Sequence, residues 1–157
     1  MNAAAEPASG AAGQVPPRER STSAALRGTV MALLTALVVE YLLGVYANLE
    51  VSFPAPGAGN GAAAMQTVTS SPGLLVHVGL GFLLVAMGVA AVLFAARGGG
   101  GAALWLVLAG LLALVGAGVG GMIFVMSGQG AAASFVMAVG FLVSFACYFA
   151  ELTVTRS

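Results

Sequence analysis

The apolar run at residues 28–49, GTVMALLTALVVEYLLGVYANL, constrains this chain more than any other feature. A bilayer core of ~30 Å needs ~20 apolar residues in a helix, so the run is long enough for one crossing. Runs at 74–96, 102–126 and 131–152 have the same character. Together they predict an all-α polytopic membrane protein, a four-transmembrane-helix bundle occupying residues 26–157. Composition points the same way: 60% of the 157 residues are hydrophobic and 6% are charged, whereas a soluble domain carries roughly 25% charged residues. Most of the outer face is therefore expected to meet the lipid bilayer. The chain has no Lys and no Asp, and its five Arg are balanced by five Glu. That balance excludes a basic nucleic-acid footprint, and the lack of Asp removes many hydrolytic schemes. The lone Cys147 allows no intrachain disulfide and no zinc cluster.

The segments between the runs read as follows. Residues 1–25 are rich in Ala, Pro, Gly and Ser and poor in large apolar side chains, so they are read as a disordered tail. Arg18, Arg20 and Arg27 ahead of an apolar run give the start of the chain the look of a secretory leader. The run is longer than a leader core, contains Glu40 and precedes three others, so it is read as retained. Pro54, Pro56, Gly57, Gly59 and Asn60-Gly61 mark a loop lasting to Pro72-Gly73. Residues 98–101 and 127–130 read as tight turns. With four crossings, Arg18, Arg20, Arg27, Arg97 and Arg156 all fall on one side, and the opposite loops have no Arg. The positive-inside rule then places both termini in the cytoplasm, in a multi-pass protein of the cell membrane whose topology anchors are Arg27, Arg97 and Arg156.

Helices in lipid associate through small residues and polar contacts, not by hiding Leu from water. The second run carries such a seam at His77, Gly81, Leu84, Gly88, Ala91 and Ala95. The first carries Thr29, Leu33, Ala36, Glu40, Gly44 and Ala47. The third offers Ala109, Ala113, Ala117 and Gly121, with Gly116 and Gly120 alongside. The fourth offers Ser134, Met137, Gly140, Ser144, Cys147 or Tyr148, and Glu151. Gly81, Gly88, Gly116, Gly120 and Gly121 are the expected close-packing positions. The polar residues fall on these seams, so they are expected to point into the bundle. The stretch GAGVGG at 116–121 matches a dinucleotide fingerprint by letter only, because that motif needs a preceding strand and a helix starting at its glycines.

Glu40 and His77 form the expected intramembrane polar centre. Glu40 lies ~18 Å along the first helix from Gly28, where an ionised, unpaired carboxylate costs several kcal/mol. It is read as a proton carrier or ligand group, or as a neutral acid bonding a neighbouring helix. His77 stands near the opposite edge, with a height difference from Glu40 of ~8 Å if the two helices end flush. It is read as a relay partner of Glu40 or as an interfacial residue. Gly44 and Asn48, with Tyr46 and Glu50 nearby, offer a polar track leading outward, or ordinary interface contacts. Glu151 is expected to pair with an arginine at its helix end. No catalytic constellation or metal-ligand cluster stands out, so the chain is read as non-enzymatic. Its leading reading is an accessory or oligomeric component, a homo-oligomer or part of a larger membrane complex, with no nucleic-acid partner. A proton-coupled or small-solute transport element using Glu40 and His77 is the alternative. A haem-bearing electron-transfer subunit is a third, since imidazole ligates iron, with a Met or a second copy supplying the other ligand.

The segment EYLLGVYANL at 40–49, the Pro/Gly loop and the segment HVGLG at 77–81 resemble uncharacterised small four-span membrane proteins of high-GC actinobacteria. That resemblance implies topology and no particular chemistry. The His-x-x-x-Gly start of the second run is similar to haem-binding helices of small cytochrome-type bundles, which implies His77 as the axial ligand.

Overall fold

A computed structural model describes residues 17–53, 61–98, 100–127 and 130–154. Those residues form five helices: α1 (Pro17–Glu50), α2 (Gly61–Ser70), α3 (Pro72–Arg97), α4 (Gly101–Ser127) and α5 (Ala131–Val154). The protein is all-α, and α1, α3, α4 and α5 are each long and apolar enough to cross a membrane. Phe82, Trp105 and Phe135 are each at least 70% exposed, a surface suited to lipid and costly in water.

Two boundaries differ from expectation. The first helix begins at Pro17 instead of Gly28, so the tail expected to be disordered through residue 25 is helical over its last nine positions; residues 1–16 lie outside the described residues. Leu26 is buried in the core, and packing holds this extension where composition alone offers no reason for order. The second difference is α2, which falls within the expected loop. Its Ala62, Ala63 and Ala64 are the strongest helix formers, and Thr67 Oγ1 donates to the Ala63 carbonyl at 3.0 Å. The turn residues ahead of it, 54–60, lie outside the described residues.

Capping fixes where α3 starts and stops. Ser71 is its N-cap, its hydroxyl accepting from the Leu74 N–H at 3.5 Å, with Pro72 at the first turn. At the far end the Gly98 N–H donates to the Phe94 carbonyl at 3.0 Å. Gly100 and Gly101, at φ 76° and 68°, then reverse the chain in a conformation that side chains disfavour.

The four long helices close a ring in which α1 packs on α3, α3 on α4, α4 on α5 and α5 on α1. Two stripes organise half of it. On α1 the inward positions are Leu26, Val30, Leu33, Leu37, Glu40, Gly44 and Ala47; on α3 they are Leu74, His77, Gly81, Leu84, Gly88, Ala91 and Ala95. Both alternate steps of three and four, the repeat of supercoiled helix pairs. The expected α3 seam matches this stripe residue for residue. On α1 the centre is taken by Val30 and Leu37, with Thr29 and Ala36 half-buried beside them. On α4 the buried positions are Val107, Gly110, Leu114, Gly120 and Phe124, and Ala109 is exposed. Of the expected positions, Leu33, Glu40, Gly44 and Ala47 lie on the α1 stripe, and Ala113, Ala117, Gly120 and Gly121 pack against α5; the large inward side chains are what tracking small residues alone leaves out. Tyr41 against Phe141, with centroids 5.0 Å apart, ties α1 to α5.

Candidate functional site

The α1–α3 pair is antiparallel, and its register is set by glycines. Thr22 lies beside Gly98, Glu40 beside Gly81, His77 beside Gly44, and the Tyr46 ring packs directly on Gly73. This places the last turns of α1 alongside the start of α3, about one helical turn (~5 Å) from the flush arrangement that the sequence suggests. The expected ~8 Å separation of Glu40 and His77 is thereby narrowed to about one turn, which the two side chains span. His77 Nδ1 stands 3.1 Å from Glu40 Oε1.

Each polar side chain lies over a glycine of the opposite helix. A methyl group on Gly81 would stand 3.2 Å from Glu40 Oε1, and one on Gly44 would stand 3.3 Å from His77 Cε1. Glu40 and Gly44 are one turn apart on α1, as are His77 and Gly81 on α3. The pair therefore sits in two facing notches, each helix providing one polar side chain and one gap.

The side chains are 15% (Glu40) and 25% (His77) exposed, yet His77 Nδ1 and Glu40 Oε2 are buried. The 3.1 Å approach is within ion-pair distance, but it lacks the alignment of a hydrogen bond. Nδ1 of His77 and Oε2 of Glu40 have no aligned hydrogen-bond partner among the described residues. A buried polar atom left in that state costs ~1–3 kcal/mol, so both atoms retain capacity to take or give a proton or to bind a small polar group.

The other expected positions are distributed as follows. Asn48 and Glu50 are exposed, and Ala47 takes the next place on the inner stripe, so the outward track from Gly44 does not continue through Asn48. Tyr46 is 49% exposed and packs by its ring edge on Gly73. Arg27 and Arg97 are exposed at the end of the bundle where α1 starts and α5 stops, here termed the terminal end. Arg156 lies outside the described residues. Gly88, Gly120 and Gly121 make close contacts with α4 or α5, but Gly116 has open space where a side chain would be. It lines an open apolar groove between α4 and α5 with Phe135 and Val139.

His77 Nδ1 faces Glu40, and its Cε1 lies nearest to where a Gly44 side chain would begin, at 3.3 Å.

A second polar group was missed as a site. Ser144, Tyr148 and Glu151 on α5 are each 0% exposed. Ser144 Oγ donates to the Gly110 carbonyl at 2.9 Å. The Tyr148 ring lies 3.0 Å from where a Gly110 side chain would begin, and its hydroxyl 3.0 Å from the same point on Gly88. The Tyr148 hydroxyl has no aligned hydrogen-bond partner among the described residues. Glu151, expected on the inward seam and as a partner for an arginine at the helix end, is fully buried. The signal was present in the three- and four-residue spacing of these residues, but proximity to the helix end favoured an interfacial reading. Compared with known protein families, curated proteins and solved structures, the chain matches none.

Proposed function

We propose that this chain is a non-enzymatic accessory or oligomeric component of the cell membrane, with both termini cytoplasmic, in which Glu40 and His77 latch α1 to α3. The observation that carries the reading is the 3.1 Å approach of the two side chains, each over a glycine of the other helix. A polar pair in lipid-facing helices favours one register over its neighbours, because sliding by a turn would place each group against apolar side chains. The arginine distribution supports the orientation. The partner is a further copy or another membrane subunit.

The test is Glu40→Gln, purified in mild detergent. Polar contacts between membrane helices average ~0.6 kcal/mol and reach ~1.7. The expected result is a loss of stability within that range, with weaker retention of whatever co-purifies with the native chain. A variant as stable as the native chain, with the same associated proteins, would overturn the latch.

A second reading, a proton-coupled element built on the same pair, is favoured by the unaligned Oε2 of Glu40 and Nδ1 of His77. A contact evolved only as a latch gains by closing those bonds.

A further inference from the structure

We propose that a proton path crosses the bundle in two polar segments, Glu40–His77 and Ser144–Tyr148–Glu151, closed between them by a layer of leucines. It rests on the second reading above and extends it to α5.

The α3 stripe gives the spacing. Glu40 meets α3 at Gly81, and the Tyr148 hydroxyl meets it at Gly88. Those glycines are two turns apart, so the two polar groups are separated by ~10 Å along the bundle. His77 extends the first segment toward α2, and Glu151 extends the second toward the terminal end.

Leu84 lies between Gly81 and Gly88 on α3, at 0% exposure, with Leu37 of α1 at 1% and Leu114 of α4 at 7%. All belong to one apolar cluster. A gap of ~10 Å requires a chain of two or three waters, since each O–H···O step spans ~2.8 Å. The layer presents only apolar side chains to that gap, and an apolar constriction that gates by dewetting is an established device.

Tyr148 suits the relay for a specific reason. Its hydroxyl is buried, lacks an aligned hydrogen-bond partner among the described residues, and is bordered by glycines of two helices. It can accept a proton on its oxygen while releasing its own toward Glu151, so no tyrosinate forms and one proton is transferred in net. Around its ring, α3 and α4 provide Gly88, Gly110 and Leu111, none of them titratable. The nearby titratable groups on its own helix are Cys147, which is half-buried, and Glu151.

The full chain would be reconstituted in phosphatidylcholine–phosphatidylglycerol vesicles with pyranine inside, and proton entry driven by a potassium diffusion potential with valinomycin. The expected result is flux above protein-free vesicles, raised about tenfold by Leu84→Ser as the dry layer becomes wettable. Tyr148→Phe and Glu40→Gln should each return that raised flux toward the protein-free level. Should Leu84→Ser not fold, judged by gel filtration and circular dichroism, Leu84→Ala and Tyr148→Phe in the native chain decide the matter. Flux lost in Glu40→Gln but unchanged by Tyr148→Phe and by the Leu84 variants would overturn the two-segment path and leave the proton role of Glu40 standing. No flux above protein-free vesicles in any folded variant would overturn both.

Discussion

The α1–α3 and α4–α5 pairs are both antiparallel and both depend on glycine, yet they use it for opposite purposes. In α4–α5 glycine brings backbones together. A methyl on Gly140 would stand 2.8 Å from the Ala113 carbonyl oxygen and 3.1 Å from the Ala117 nitrogen, and one on Gly120 would stand 3.3 Å from the Met137 nitrogen. In α1–α3 the glycines leave space for side chains instead, Gly81 for the Glu40 carboxyl and Gly44 for the His77 ring. One seam gains dispersion contacts between main chains, and the other provides a place for two ionisable groups that lipid would not accept. A small residue in a membrane helix thus has two meanings, and the opposite helix decides which applies.

Substitution to alanine should separate the two uses. Gly140→Ala carries the largest expected effect, because the added methyl meets backbone that cannot rotate away. Overpacking of this kind costs ~1–3 kcal/mol, and thermal unfolding in mild detergent should show a lowered midpoint. Gly81→Ala should cost less, ~0.5–1.5 kcal/mol, because the clash falls on the carboxyl end of a flexible Glu40 side chain. If Gly81→Ala proves worse than Gly140→Ala, the distinction between backbone and side-chain notches is wrong. Gly116→Ala should be neutral or stabilising by ~0.5–1 kcal/mol, since it fills open space and improves helix propensity. A clear loss of stability there would show a contact beyond the single chain, consistent with a second copy seated on that groove.

The comparison also explains what the sequence could disclose. The α3 stripe was legible because its inward positions from His77 to Ala95 are small or polar except Leu84, so periodicity and residue size largely agree. On α4 only the small side that meets α5 was legible, because Val107, Leu114 and Phe124 are also inward and resemble lipid-facing residues in composition. The helix in the loop was hidden behind turn-forming residues whose influence ends at Gly61. Glu40 and His77 were identifiable by the rarity of ionisable groups in such runs, but their contact was not. It depends on how α1 and α3 are offset, with Glu40 beside Gly81, His77 beside Gly44 and Tyr46 on Gly73, and residue type alone does not give that offset. Tyr148 and Glu151 were underestimated for a related reason: closeness to a helix end does not imply exposure, and both are fully buried.

The central claim is that Glu40 and His77 act on each other across α1 and α3. A double-mutant cycle of Glu40→Gln and His77→Gln, read as unfolding free energy in mild detergent, tests it most directly. The account predicts a coupling of about 0.5–1.7 kcal/mol, the range of interhelical polar contacts in membranes. Additivity within ~0.3 kcal/mol, as expected of independent sites, would contradict it.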